Sequence, residues 1–284
     1  MKVSEILKGK SRSLSFEVFP PKSDSSFDSV REATEKIASL SPSFMSVTYG
    51  AGGGTSKYTI DIAKNIRDKY GVPSIAHLTC VSSSRETVRA RIADIKAAGI
   101  KNIMALRGDI PVGFENLPRE YTHASELVRE IRNMGDFSIG GACYPEGHPE
   151  SADINTDIRY LKEKVDSGLD FLTTQMFFDN SLFLAFLERA ERAGIDLPIL
   201  PGIMPVTSVA QIDRVTTLSQ SFLPPKFLAM VDRYGNDPAS MRQAGVEYAI
   251  GQIHDLFDRG VRWAHVYTMN KPDVAEEIIK NFKI

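Results

Sequence analysis

Apolar and polar positions follow two alternating periods along the whole chain. Apolar runs of strand length occur at 13–19 (SLSFEVF), 44–50 (FMSVTYG), 74–80 (SIAHLTC) and 102–108 (NIMALRG). Four more follow at 138–144 (SIGGACY), 171–178 (FLTTQMFF), 198–204 (PILPGIM) and 263–269 (WAHVYTM). Between them apolar residues recur at helical spacing over 26–40, 57–69, 84–98, 123–134, 153–168, 181–194 and 207–219, then over 224–233, 238–259 and 272–282. Short apolar runs separated by helical patterns predict β-α units around a parallel sheet. Eight such strands, each followed by a helix, predict an α/β fold of the (β/α)8 TIM-barrel type, with extra helices between strands seven and eight. A doubly wound sheet, which stops at about five or six strands, is the weaker alternative. The punctuation agrees. Ser84 with Thr87, Asp153 and Thr207-Ser208 occupy N-cap positions. Gly99, Gly168 and Gly194 follow helix ends, where a left-handed residue is wanted. No linker or composition break divides residues 1–284, so one barrel domain is expected.

Parallel barrel strands are buried on both faces and should read as unbroken apolar sequence. These are interrupted, always toward their C-terminal ends. Strand one carries Glu17, strand two Ser46 and Thr48, strand three His77 and Thr79, and strand six Thr173 and Gln175. Strand four ends in Arg107-Gly108-Asp109 and strand five in Tyr144-Pro145-Glu146. Within a strand the polar residues keep one parity, so they face one side of the sheet. One buried polar residue is ordinarily structural. Several at one end, each costing about 1–3 kcal/mol if left unpaired, mark the face where barrels place their chemistry. Glu17 lies among Phe16, Val18, Phe19, Pro20 and Pro21, so desolvation is expected to favour its neutral acid form, as a general acid requires. Asp109, after Arg107 and Gly108, is expected to stay ionised beside a cation and free backbone N–H groups.

Composition narrows the chemistry. The chain has 284 residues, 42% hydrophobic and 25% charged, which excludes disordered and low-complexity classes. Lys+Arg 34 against Asp+Glu 36 leaves a net charge of -2, with no basic excess for nucleic acid or an anionic membrane. The two cysteines, Cys80 and Cys143, sit in apolar runs and read as buried thiols rather than a disulfide framework. No signal peptide or membrane-spanning run is present, so a cytoplasmic location is expected. The stretch 50–57 (GAGGGTSK) follows a strand and matches neither the dinucleotide nor the P-loop fingerprint; an anion cradle and a plain flexible turn both remain open. The five histidines show no metal-ligand spacing, so no metal is expected, and no strand interior offers a Schiff-base lysine.

The strand-end residues carry a resemblance. Phe16-Glu17-Val18-Phe19-Pro20-Pro21, Ser46-Val47-Thr48-Tyr49-Gly50-Ala51 and Ala76-His77-Leu78-Thr79-Cys80 match the methylenetetrahydrofolate reductases. So do Ala105-Leu106-Arg107-Gly108-Asp109-Ile110-Pro111, Tyr144-Pro145-Glu146-Gly147-His148-Pro149-Glu150 and Thr174-Gln175-Met176-Phe177-Phe178-Asp179. Pro201-Gly202-Ile203-Met204-Pro205-Val206 and Val266-Tyr267-Thr268-Met269-Asn270 complete the set, which runs through every predicted strand in order. The chain thus resembles the catalytic barrel of the bacterial type. The resemblance implies an oxidoreductase that binds FAD across its strand ends and reduces 5,10-methylenetetrahydrofolate to 5-methyltetrahydrofolate, supplying methyl groups for methionine synthesis. NADH or NADPH would be the co-substrate. By the same resemblance Glu17 is the general acid, and Asp109 tunes the flavin and contacts the pterin. Thr48, His77, Arg107, Gly108, Asp109, Ala124, Tyr144, His148, Asp157 and Lys164 hold FAD. Glu17, Asp109, Gln175, Gln211 and Lys271 hold the folate. A homo-oligomer is also implied.

Three positions depart from the family pattern. Val215 stands where an aromatic ring stacks on nicotinamide or pterin, and Lys271 where an arginine pairs with the glutamate tail. Glu163 stands beside Lys164 where a second basic residue is usual. Lysine at 271 keeps the charge but loses the bidentate fork. Two alternatives follow: a flavin subunit taking electrons from a partner protein, for which Val215 is the motive, and a folate-binding barrel without catalysis.

Overall fold

The computed structural model describes residues 1–9, 11–21, 23–49, 56–110, 119–219 and 221–282. Residues 50–55 of the glycine-rich stretch and Pro111 of the strand-four motif lie outside the described residues. The strands are β1 (Ser13–Val18), β2 (Met45–Val47), β3 (Ser74–Thr79), β4 (Asn102–Leu106), β5 (Ser138–Cys143), β6 (Phe171–Thr174), β7 (Ile199–Leu200), β8 (Gly202–Ile203) and β9 (Trp263–Tyr267). They form one sheet in the order β7-β6-β5-β4-β3-β2-β1-β9-β8, and every pairing is parallel. Its two ends, β7 and β8, are successive pieces of the same stretch of chain, so the sheet comes round on itself as a TIM-type barrel.

The predicted seventh strand is therefore two short ones, and the sheet has nine strands rather than eight. Pro201 is the cause: without an N–H it cannot continue the ladder. Its carbonyl still accepts from His265 N at 2.9 Å, which keeps the break narrow. The other strands stop one to four residues short of the apolar runs that predicted them, because the polar strand ends peel away from the ladder to face the mouth.

The helices are α1 (Val3–Lys8), α2 (Phe27–Ser39), α3 (Ser56–Tyr70), α4 (Arg85–Ala97), α5 (Ala124–Met134), α6 (Ile154–Asp166), α7 (Asn180–Arg192), α8 (Val209–Ser219), α9 (Pro225–Tyr234), α10 (Pro238–Asp258) and α11 (Pro272–Lys280). Two of the three expected caps form. Ser84 Oγ accepts from Thr87 N, and Asp153 accepts from Asn155 N and Thr156 N. Gly99, Gly168 and Gly194 take the left-handed values φ +74°, +116° and +73°. As expected, α9 and α10 are inserted ahead of β9.

Strand parity divides the core into two layers. Leu14, Phe16 and Val18 of β1 point outward with Val47, Leu78, Ala105 and Val266 to meet the helices. Inside, toward the N-terminal ends, Phe44, Ile75, Met104, Phe171 and Leu200 form a separate plug closed by Val3 and Leu7 of α1. This helix was not predicted, being too short at 6 residues to show a period. Burial of Val3 and Leu7 contributes about 1.5–3 kcal/mol each and secures a helix that would not persist alone. Its leading N–H groups are satisfied by the barrel: Val3 N donates to Asn102 Oδ1 at 2.7 Å and Ser4 N to Ser138 Oγ at 3.0 Å. With one end plugged by apolar side chains, the polar residues of the same parity are left to the other.

Candidate functional site

Register brings six polar side chains together inside the barrel. Glu17 pairs with Ser46 across β1–β2 and with Tyr267 across β1–β9, while Ser15 pairs with His265. Ser46 Oγ donates to Glu17 Oε2 at 3.2 Å and lies 3.2 Å from His265 Nε2. His77 Nε2 of β3 and His265 Nε2 stand 3.5 Å and 3.6 Å from the same carboxylate oxygen. On the far side of the His265 ring, Nδ1 lies 2.8 Å from Ser15 Oγ, which donates to Ala264 O at 3.2 Å. The Glu17 side chain keeps 20% of its surface, whereas His265 keeps 1%.

This cluster corrects one expectation. Burial does push the Glu17 carboxyl up, but the His265 ring, the His77 ring and the Ser46 hydroxyl together outweigh it, and the group lies below the ordinary carboxylate value. The apolar neighbours in sequence, Phe16 and Val18, face the helices. The carboxyl itself faces what β2, β3 and β9 bring. Burial moves His77 the opposite way, favouring its neutral ring, and leaves its Nε2 without a hydrogen-bond partner.

The end of β1 is held by the chain after β9. Thr268 Oγ1 donates to Glu17 O at 2.7 Å. Asn270 clamps Phe19, its Oδ1 accepting from Phe19 N and its Nδ2 donating to Phe19 O, both at 2.9 Å. Met269 and Asn270 carry φ of +53° and +54°, a left-handed pair at the mouth rather than in a glycine turn.

A row of the remaining residues follows the ends of β2 to β5. Thr48 comes directly after β2, and its N–H donates to Val18 O at 2.9 Å. Arg107 follows β4, its carbonyl accepting from Cys80 N at 3.2 Å and Val81 N at 2.9 Å. Gly108 adopts φ +83°, and a Cβ there would lie 3.0 Å from Thr79 Cβ, so the position excludes a side chain on both counts. The Arg107 fork is engaged by Glu150 at 2.5 Å and 2.7 Å; Asp109 is exposed, in the field of Arg107 and Tyr144. Tyr144 follows β5 and meets His148 edge-on, with ring centroids 4.6 Å apart; burial pushes its phenol up to about 12.

Other candidates sit further back. Buried Asp157 of α6 accepts from Ser151 Oγ at 2.9 Å. Lys164, two turns later, lies beside Asp157 and Cys143 and donates to Ala142 O at 2.5 Å; burial lowers its pKa. Its neighbour Glu163 is exposed. Ala124 opens α5, where Glu126 already accepts from Thr122 N and His123 N. Both cysteines are buried and free, and burial raises the Cys80 thiol to about 12, so neither is a nucleophile.

The predicted substrate residues separate into two places. Gln175 follows β6, its N–H donating to Cys143 O at 2.7 Å and its Oε1 accepting from Met176 N at 3.0 Å. Gln211 and Lys271, 60 positions apart in the sequence, meet through Thr207. Gln211 Oε1 accepts from Thr207 N at 2.7 Å and Thr207 Oγ1 at 3.0 Å, and Lys271 Nζ donates to Thr207 Oγ1. Val215 lies in an apolar cluster beyond the strand ends. It is 4% exposed, packed with Phe178, Met204, Val206 and Phe227. Sequence reasoning passed over Ser15, Thr207, His265, Thr268 and Asn270. His265 had a readable signal, the inward parity it shares with Tyr267 on β9.

Arg107 and Tyr144 give these strand ends a guanidinium and an aromatic ring, the groups that could hold an anionic, ring-bearing ligand. Among the described residues no cluster of His, Cys, Asp and Glu is arranged to hold a metal ion, and no helix is long and apolar enough to cross a membrane.

Against known proteins, the chain matches the sequence model of the family described as Methylenetetrahydrofolate reductase over residues 2–283. It is 36% identical over 265 residues to the 5,10-methylenetetrahydrofolate reductase of Pectobacterium carotovorum subsp. carotovorum, covering 93% of this chain and 88% of that one. It is 34% identical over 281 residues to Methylenetetrahydrofolate reductase (NADH) 1 of Zea mays, covering 94% of this chain and 47% of the maize protein. Among solved structures, an uncharacterised protein from Clostridium thermocellum that binds two copies of 5-methyl-5,6,7,8-tetrahydrofolic acid superposes with a TM-score of 0.63 over 97% of this chain and 98% of its own. At 15% identity that likeness speaks to the fold alone.

Proposed function

The chain belongs to the methylenetetrahydrofolate reductase family, and from that premise we propose that its barrel mouth binds FAD and reduces 5,10-methylenetetrahydrofolate to 5-methyltetrahydrofolate, with NADH or NADPH as electron donor and methionine synthesis as the destination of the methyl group. When bound, FAD would supply the hydride. The protein's share is position, a proton and field. The observation that carries the reading is Glu17: a carboxyl inside the barrel, one fifth exposed, beyond the apolar plug and beside Ser46, His77 and His265. In this reading it gives a proton to the ring nitrogen that leaves as the folate's five-membered ring opens. The maize relative is named for NADH, which favours NADH as donor.

Arg107, Tyr144, His148 and Asp157 hold the cofactor in this reading, and Glu150 must release the Arg107 fork before a diphosphate takes it. Thr48, Gly108 and the start of α5 at Ala124 shape the same surface, and Lys164 supports β5 from behind. Asp109, exposed beside Arg107 and Tyr144, places a negative charge at the mouth. Gln175 contacts the folate, and Lys271, oriented by Thr207 and Gln211, pairs with its glutamate tail. One barrel domain suffices for all of these roles.

Glu17→Gln tests the reading. It should retain bound FAD and lose folate reduction by roughly 10²–10⁴-fold, the scale of a general acid. Folate turnover at the unaltered rate would remove Glu17 from the chemistry.

A further inference from the structure

Glu146, two residues beyond Tyr144 at the end of β5, takes no part in the chemistry above. Its two oxygens differ. Oε2 accepts from Phe222 N at 2.8 Å, whereas Oε1 is buried without a hydrogen-bond partner. Burial raises its pKa, and the Asp179 carboxylate nearby adds to the effect. An acid buried beside another acid is costly to keep. Its partner is a backbone N–H 76 positions away, in the connection from α8 to α9.

The bed under α8 is apolar and soft. Val215 packs with Phe178, Met204 and Val206, and Ile212 lies against the same cluster, to which Met176, Met230, Met241 and Met269 also belong. Methionine adapts to more than one neighbour position, so this bed alone does not fix where the helix sits. Polar anchors at both ends do. At the start of α8, Gln211 Oε1 accepts from Thr207, to which Lys271 also donates. At its end, Ser219 Oγ donates to Val215 O at 2.6 Å and lies 2.7 Å from Ser221 Oγ. Ser221 Oγ donates to Met176 O at 3.2 Å, directly after Gln175, and Glu146 takes the next N–H, that of Phe222. The Phe222 side chain is itself 50% exposed, so its ring does not hold the turn by packing.

We propose that Glu146 is a positioning residue for the folate: by seating the chain after α8 on the end of β5, it fixes Gln211 of α8 relative to Gln175 beyond β6. This rests on the reading of Gln175 and Gln211 as the residues that hold the folate. Glu146 touches neither substrate nor cofactor in this role. It acts through Phe222 N and the helix that precedes it, while Ser221 makes the parallel attachment to β6. Two amides that approach one ligand from different elements bind it well only when the spacing between those elements is set in advance, and the Glu146 bond sets it.

The test is steady-state reduction of 5,10-methylenetetrahydrofolate by the holoenzyme, with KM and kcat resolved separately. Glu146→Ala frees the connection and should raise folate KM about 10-fold, equivalent to about 1.4 kcal/mol, with kcat and bound FAD unchanged. Glu146→Gln keeps an oxygen for Phe222 N and should bring KM back to within about 3-fold of the native value. Ser221→Ala loosens the same connection from β6 and should raise KM about 3-fold. An unaltered KM in Glu146→Ala overturns the proposal. So does a loss confined to kcat, or a glutamine variant no better than alanine. If Glu146→Ala does not fold, Ser221→Ala carries the test, and a native KM there overturns the proposal. A native protein that does not reduce the folate at all would refute the proposed function. Native turnover with an unaltered Glu146→Ala would refute only the seat.

Discussion

Asn270 offers a direct measure of how the fold holds the acid in place. Its side chain makes two 2.9 Å hydrogen bonds to Phe19, two residues beyond Glu17, and its own backbone sits at φ +54°. Replacing it by alanine removes both bonds, at about 1 kcal/mol each, and puts a residue with a Cβ but no local hydrogen bond into the left-handed region, at about 1 kcal/mol more. The sum is about 3 kcal/mol. For a chain of this size that lowers Tm by roughly 6–12 °C. Asn270→Gly separates the two contributions, losing the same bonds while accepting the backbone, so it should cost about 2 kcal/mol. Calorimetric unfolding of the three proteins should rank them native, glycine, alanine. Folate reduction should fall in both variants, because β1 is no longer fixed beyond the carboxylate. An alanine variant within about 0.5 kcal/mol of the native protein, or a glycine variant less stable than alanine, would refute the reasoning.

Two further outcomes follow from packing and from charge. An ideal Cβ on Gly245 of α10 would lie 1.7 Å from Val206 O, whereas nothing lies within 4 Å of one on Gly251. In urea titrations Gly245→Ala should therefore lose about 3 kcal/mol, while Gly251→Ala in the same helix gains about 0.5–1 kcal/mol; equal effects would contradict the packing. Burial depresses His77 below its ordinary value of 6.5 and does the same to His148, so the unfolded chain binds more protons just below that pH. The stability each neutral ring contributes is complete above 6.5 and is lost as pH falls through the folded value, so urea midpoints should decline below pH 6.5 and decline less in His77→Gln. A variant that keeps the full slope would show that His77 does not titrate on unfolding.

The barrel was legible because its two layers differ in kind. Leu14, Phe16 and Val18 alternate with Ser15 and Glu17, and that period of two announced both a strand and an inward polar face. What failed was whatever the chain supplies from elsewhere. The break at Pro201 changes strand count but not topology, since each half finds its own neighbour. The six-residue α1 shows no period and owes its existence to the apolar plug it closes. The direction of the Glu17 shift could not be read from Phe16 and Val18, which lie on the other face; it is set by Ser46, His77 and His265 through strand register. Likewise Gln211 and Lys271 become one unit only through Thr207. Sequence parity located the face, and pairing across strands decided its chemistry.

The account stands most directly on one measurement: the visible spectrum of the purified protein, followed anaerobically as NADH is added and then 5,10-methylenetetrahydrofolate. It predicts an oxidised-flavin band near roughly 450 nm, a property of the cofactor, that bleaches with NADH and returns with the folate. A flavin that bleaches with dithionite but not with NADH or NADPH would contradict the proposed donor. A protein that holds no flavin after incubation with FAD would contradict the central claim.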